Sequence, residues 1–494
     1  MLTLNFLHHK NGFCTAGDLR PFAFSIHQKL RQRFACNELF LLESLGKNAV
    51  DARTSMVGIS PFLIINAYSN RVEVLGNEAL VRLIADELSV ETDVQSGRAI
   101  VPLPTQQSVW SVLRDIEAAI RYETNEFGCT PLMFGYFAYE TIHYLEKIGN
   151  ATSKDDEIRI QLKLYETIIT LSEQAYQIQT FHPQTPTISP IEELAAEIEE
   201  ILLNGKPPIG IAPEVPGKKS VQFETTRESY LSKARVALEH IRIGDIYQVQ
   251  IGQKVEVRSE ALPERVYERM RSLNPSPYMY LFETDDTAVV GASPELFVRI
   301  EGDAVLMRPI AGTLGKRAGI TFDMASRHLR SDEKEVAEHM MLVDLCRNDL
   351  HRVSNAESVE VSELLGIEEY SHVWHMVSTS TGTLRSDKDK YDVIMASFPA
   401  GTMTGTPKIR AMEIIRANED SDRGLYAGAI GVLAVGSNRM NTALCIRTAV
   451  QKQGSYFLRA SAGIVSDSDP QKEYAETLHK MGSVYRAVTG EEFA

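Results

Sequence analysis

Between Tyr247 and Ala460, short strand-forming runs recur at uneven intervals: Tyr247–Val257, Tyr278–Phe282, Ala288–Val290, Leu296–Ile300, Ala429–Val435, Thr442–Val450 and Tyr456–Ala460. Branched and aromatic side chains dominate them, and these pack well on a pleated surface. Helical patterns fall between some runs and not others. That order does not fit the strict strand–helix rhythm of a parallel barrel, and it predicts an α+β architecture.

A chain of 494 residues, 44% hydrophobic and 24% charged, has the material for a large core. Prolines crowd between Thr180 and Gln222, where Pro183, Pro186, Pro190, Pro207, Pro208, Pro213 and Pro216 flank the amphipathic run Ile191–Leu203. Proline removes a backbone donor and fixes φ, so 181–222 reads as a crossing segment between an N-terminal portion, 1–180, and a C-terminal portion, 223–494. The net charge of −15 repels phosphate backbones and anionic lipid, so neither nucleic acid nor a membrane is an expected partner. Five scattered cysteines, Cys14, Cys36, Cys129, Cys346 and Cys445, include no C-x-x-C pair. They argue against a disulfide framework or a zinc site and for a reducing cytoplasm. No apolar run approaches the ~18 residues that span a bilayer, and the N-terminus lacks a signal-peptide pattern, so a soluble, untargeted protein is expected.

The C-terminal portion opens with a predicted helix at Thr226. Thr225 and Glu228 have capping-box spacing, and Tyr230, Ala234, Ala237, Leu238 and Ile241 recur at helical intervals. Two later helices carry paired acids. Glu335 and Glu338 share one face, as do Glu473, Glu476 and Lys480. A solvated stripe would show the same spacing, but Glu338 runs into the apolar Met340–Val343 and Glu476 follows a strand–loop pattern near Gly463.

The motifs then become specific: GDIYQVQ at 244–250, GASPE at 291–295, RPIAGT at 308–313, DEKEVAEHMMLVDLCRNDL at 332–350, SHVWH at 371–375, FPAGTMTGTPKIRAMEII at 398–415, YAGAIG at 426–431, IRTA at 446–449 and DSDPQKEYAETLHK at 467–480. In this order they closely resemble the chorismate-utilising enzymes, and among these the large subunits of anthranilate synthases. FLLES at 40–44, RTSMVG at 53–58, SPFLII at 60–65 and FGYFAYE at 134–140 extend the likeness more weakly into the N-terminal portion. The resemblance implies a large two-layer, β-sandwich-like core with surrounding helices. It makes 1–180 the regulatory and partner-docking portion and 223–494 the catalytic one.

Chorismate is a dicarboxylate with a poorly leaving ring hydroxyl, so its displacement needs carboxylate clamps, a metal and a general acid. The resemblance assigns Mg²⁺ to Glu338 and Glu476, with Glu335 and Glu473 supporting, an oxygen donor set suited to that ion. It makes Glu295 the acid that protonates the departing C4 hydroxyl, and His375 the base of a second step in which pyruvate leaves. Gly312, Thr313, Tyr426, Arg447, Gly463 and Lys480 are expected around the substrate carboxylates, with the amides of Gly401–Thr402 cradling further oxygens. The stretch from Gly401 to Lys408 has the wrong spacing for a phosphate loop, and Pro407 removes a donor, so nucleotide binding is discounted.

Two positions discriminate among reactions. Gln248 stands where water-using relatives carry a lysine base, and an amide cannot deprotonate water. Ala311 stands where aminodeoxychorismate synthases commonly carry a nucleophilic lysine, so ammonia itself should attack C2. No cysteine lies in a Gly-x-Cys-x-Gly context, so ammonia must come from a separate glutamine amidotransferase small subunit or from ammonium salts.

Glu43 and Ser44, with Asn274, Pro275, Ser276, Pro277, Tyr278 and Met279, resemble the two halves of a tryptophan feedback site; Glu43 and Ser44 are expected to meet the amino group. The sequence departs from the family at Thr54 and Met56, where an aromatic pair is common. It also departs at Ser461, which replaces a glycine, and in GTMTGTPK for GTLSGAPK. The leading expectation is conversion of chorismate and ammonia to anthranilate and pyruvate. The alternatives are a synthase of 2-amino-2-deoxyisochorismate or of aminodeoxychorismate, or a non-catalytic sensor of chorismate or tryptophan.

Overall fold

The computed structural model describes residues 3–13, 18–46, 51, 53–90, 92–93, 97–123, 128–149, 156–182, 191–205, 219–316, 319–370 and 373–493. The proline-rich stretches on either side of residues 191–205 lie outside them. Within, the amphipathic run folds as the Ile191–Asn204 helix, burying Leu194, Ala195, Ile198 and Leu202.

Apart from a short parallel pairing of Thr3–Phe13 with Arg121–Tyr122, the strands pair antiparallel in a ribbon that doubles back into two layers, as the resemblance implied. One layer runs through Gln248–Arg258, Ser455–Ile464, Thr448–Lys452, Thr287–Ser293, Tyr278–Glu283 and Leu39–Glu43 in hydrogen-bonded order. The other runs through Ile160–Leu171, Leu132–Phe137, Ala429–Ala434, Met440–Leu444, Leu296–Glu301, Ala304–Met307 and Val373–Thr383. The long Ser55–Ala67 strand joins them, pairing with Leu39–Glu43 and with Ile160–Leu171. Both layers thus mix strands of the N-terminal and C-terminal portions. Aromatic side chains fill the space between: Phe40 stacks on Phe134 at 4.3 Å, and Phe134 meets Phe282 edge-on at 5.2 Å. Each such pair contributes about 0.5–1.5 kcal/mol beyond the area it buries.

The predicted Thr442–Val450 strand is two strands, Met440–Leu444 and Thr448–Lys452, one in each layer. The chain turns between layers at Cys445–Arg447, where Arg447 has φ +52°. A second crossing lies beside it, between Ser293 and Leu296, and the two are tied by Leu444 N to Glu295 O at 3.0 Å and Ala292 N to Arg447 O at 3.1 Å. The Arg227–Arg242 helix is capped by Thr226, whose hydroxyl accepts from Ser229 N; the expected cap, Thr225, instead donates to Asp420 at 2.6 Å. Among the described residues no helix is long and apolar enough to cross a membrane.

Candidate active site

The two layer crossings deliver Glu295 and Arg447 to the wall of one cavity of about 470 Å³. Its other walls come from the Gln248–Arg258 and Ser455–Ile464 strands, the Ile310–Gly315 and Val373–Thr383 strands, and two helices, Glu333–His351 and Pro470–Thr489. Gln248, Glu295, Gly312, Thr313, Glu335, Glu338, His375, Thr402, Tyr426, Arg447, Gly463, Glu473, Glu476 and Lys480 all line it. Residues spread over more than 200 positions therefore share one site, with Gln250, Lys334, Arg459 and His479 not singled out from the sequence.

Burial pushes the Glu295 carboxyl up to about 8, with Thr402 and Lys480 holding the rise in check. It is therefore mainly protonated at neutral pH, the state a general acid needs. His375 lies opposite Thr313 across a strand pair, its Nδ1 3.0 Å from Thr313 Oγ1 and 3.4 Å from Gly312 O. A proton on Nδ1 satisfies both and leaves Nε2 as the basic nitrogen. Burial, opposed by the Gly312 carbonyl and aided by Arg447 and Lys480, holds the imidazole down at about 4, so it is neutral at neutral pH. An anionic ligand that neutralises those cations would raise its basicity. Tyr370 packs edge-on to the imidazole at 5.0 Å.

On the facing wall, Asp332 caps its helix by accepting from Lys334 N and Glu335 N, which fixes the first turn with Glu335, one turn before Glu338. Glu335, Glu338 and Glu473 are all raised above the usual carboxylate range, by burial first and by neighbouring acids, Glu476 among them. Glu338 accepts from Gln248 Nε2 at 2.8 Å, and Glu476 pairs with Lys480 at 2.7 Å. Among the described residues no three His, Cys, Asp or Glu side chains converge as a ready metal cluster. Hard oxygen donors from two helices, held in mutual repulsion, nevertheless fit a divalent cation that keeps most of its shell as water and substrate. Gly312, at φ +84°, is required: a Cβ there would stand 3.1 Å from Met376 Cβ and 3.4 Å from Glu335.

The segments around Ser44 and Ser276 also meet. Met279 pairs with Glu43, and Leu45 N donates to Ser276 O at 3.0 Å. Ser44 Oγ donates to Thr54 O at 2.8 Å, and Tyr278 OH donates to Asp51 at 3.0 Å. Glu43 does not reach outward as expected. Its fully buried carboxylate accepts from Arg271 at 2.6 and 3.0 Å and from Tyr267 OH at 2.7 Å, so it is held inside the fold.

A family model described as chorismate binding enzyme matches residues 66–486. The chain belongs to this family. Within the chorismate binding enzymes it is 41% identical over 476 residues to a 2-amino-4-deoxychorismate synthase of Streptomyces globisporus, covering 95% of each chain. It is 36% identical over 462 residues to anthranilate synthase component 1 of Pseudomonas aeruginosa, covering 91% of this chain and 90% of that one. Its fold matches the crystal structure of anthranilate synthase component I from Streptococcus pneumoniae with a TM-score of 0.67 at 27% identity, over 88% of this chain and 92% of the other.

Proposed function

We propose that this chorismate binding enzyme aminates chorismate at C2 with ammonia and carries the product on to anthranilate. The observation that carries the reading is that Glu295 and His375 line one cavity, where burial favours the protonated carboxyl and the neutral imidazole. In the first step Glu295 gives its proton to the C4 hydroxyl, which departs as water while ammonia bonds to C2 and the ring double bonds shift. The cavity offers no lysine at Gln248 or Ala311 to recruit water or to attack the ring. Gln248 instead has a buried carbonyl oxygen without a hydrogen-bond partner among the described residues, an acceptor suited to an N–H of ammonia. In the second step His375 Nε2 removes the C2 proton, the C3–oxygen bond breaks as the ring becomes aromatic, and the departing enolpyruvate takes a proton at its methylene carbon to become pyruvate.

Arg447 and Lys480 supply positive charge for the two carboxylates, beside Tyr426 and the Gly463 amide. Glu338 and Glu476, with Glu335 and Glu473, would hold Mg²⁺, which when bound polarises a substrate carboxylate. Ammonia would come from a separate amidotransferase subunit. The juxtaposed Ser44 and Asn274–Met279 segments support a tryptophan effector site, with Ser44 and main-chain groups taking the role that buried Glu43 cannot.

A second reading ends at the amino intermediate. It is favoured by the name of the Streptomyces globisporus relative, since a 2-amino-4-deoxy product is what the first step alone yields. Purified chain with chorismate, Mg²⁺ and ammonium salt separates the two by fluorescence and mass. Anthranilate with pyruvate is expected; accumulation of the amino intermediate refutes the second step, and unconsumed chorismate refutes both.

A further inference from the structure

We propose that Gln250 is a carboxylate-binding residue of the cavity, its amide N–H aimed beside the Gly463 amide by the hydroxyl of Ser461. The inference rests on the reading of the cavity as a chorismate site. Opposed residues in antiparallel strands exchange both backbone hydrogen bonds or neither. Gln250 N donates to Thr404 O at 2.8 Å and its carbonyl accepts from Arg423 at 3.0 Å, so Gln250 and Gly463, which face each other, exchange neither. The Gly463 N–H therefore points away from Gln250's strand, toward the free edge. Along that edge the Thr448–Lys452 strand reaches no further than Ala449 opposite Leu458. Ser461, of the same parity, shows where the edge looks: its carbonyl accepts from Lys480 Nζ at 3.0 Å.

Gly463 has no side chain, and that absence makes a nook. A Cβ there would lie 2.9 Å from Gln248 Nε2 and 3.0 Å from Gln250 Nε2. Gln248 Nε2 already donates to Glu338 at 2.8 Å, which leaves the Gln250 amide and the Gly463 main-chain N–H as the donors a ligand can meet here, with the Lys480 ammonium near. A group facing those donors binds best if it is an anion with several lone pairs, which in this cavity is a substrate carboxylate.

The orientation of the Gln250 amide is set from behind. Ser461 Oγ donates to Gln250 Oε1 at 2.9 Å and lies 2.7 Å from Tyr426 OH. A serine hydroxyl has one proton, and since Gln250 receives it, the Tyr426 proton must go to Ser461 Oγ. With Oε1 occupied, the amide cannot turn over without reversing both hydroxyls, and Nε2 stays directed into the nook. Space for Ser461 comes from the glycine opposite: a Cβ at Gly252 would stand 3.4 Å from Ser461 Cβ.

Chorismate binding by calorimetry tests this on the full chain with Gln250→Leu, Ser461→Ala and their combination. Loss of a hydrogen bond to a charged group predicts a Kd raised about tenfold or more for Gln250→Leu. Ser461→Ala should give a smaller rise, and the double variant should be no weaker than Gln250→Leu alone. In turnover the change should fall on the KM for chorismate, leaving that for ammonium unmoved. The near-isosteric Ser461→Cys should shift the Kd in the same direction if Gln250→Leu does not fold. Wild-type affinity in Gln250→Leu, additive losses in the double variant, or unchanged affinity in Ser461→Cys would overturn the assignment. A wild-type chain that binds no chorismate overturns the underlying site reading instead.

Discussion

Raising the pH should switch off the first chemical step by removing one proton. Glu295 sits at about 8 because burial penalises its charged form, so about nine-tenths of the molecules carry the proton at pH 7 and about one-tenth at pH 9. The acid form is the active one, so kcat/KM for chorismate should fall about tenfold per pH unit above 8. Measured at constant free ammonia, the descending limb reports Glu295 and not the nucleophile. Thr402 gives the control. Its hydroxyl lowers the pKa of the neighbouring carboxyl, although it makes no hydrogen bond within range among the described residues. Thr402→Val should therefore move the limb to higher pH while the acidic side stays in place. A flat profile between about pH 7 and 9.5 in the wild type, or a limb displaced to lower pH in Thr402→Val, would show that Glu295 is not the proton donor.

His375→Ala should slow anthranilate release more than chorismate consumption, by about 10²-fold or more, with the amino intermediate visible by mass; equal losses in both rates would reduce His375 to shaping the pocket. Glu338→Gln and Glu476→Gln should each abolish Mg²⁺-dependent turnover, and near-normal rates at saturating Mg²⁺ in both would remove the metal assignment. Glu419→Gln should destabilise the fold by about 3–5 kcal/mol in denaturant melts, because it strips the partner from buried Arg423 and Arg459 at 2.7 and 2.6 Å; a loss under about 1 kcal/mol would contradict that. Tryptophan should bind with a Kd below millimolar and weaken chorismate by the same factor that chorismate weakens tryptophan. Calorimetry without heat at millimolar tryptophan would dismiss the effector site.

The strands were legible where branched residues alternate in unbroken runs, and the observed Tyr278–Glu283 and Leu296–Glu301 differ from expectation by one residue. The Thr442–Val450 run misled because nothing local marks its corner. Cys445 and Ile446 are as apolar as strand interior, and the break at Arg447 is imposed by the two layers it connects. Site residues were legible through motifs and not through periodicity, which could only place Glu335 with Glu338 and Glu473 with Glu476. Gln250 escaped notice because a glutamine in a strand reads as a solvent-facing position. Glu43 was misjudged because its partner, Arg271, lies 228 residues away and no local pattern announces a buried ion pair.

The mixing of early and late strands in each layer also governs when the protein can fold. Leu132–Phe137 has one edge on Ile160–Leu171, and its other edge pairs with Ala429–Ala434, far later in the chain; Leu39–Glu43 likewise waits for Tyr278–Glu283. During synthesis the first third of the chain therefore leaves the ribosome with open strand edges and an unfinished aromatic interior, a sticky species at the slow pace of translation. Closing those edges joins segments hundreds of residues apart, which makes the docking step slow. Chaperone capture of nascent chains, and poor yields of fragments truncated before Ala429, follow from the same strand order that brings Glu295 and Arg447 side by side.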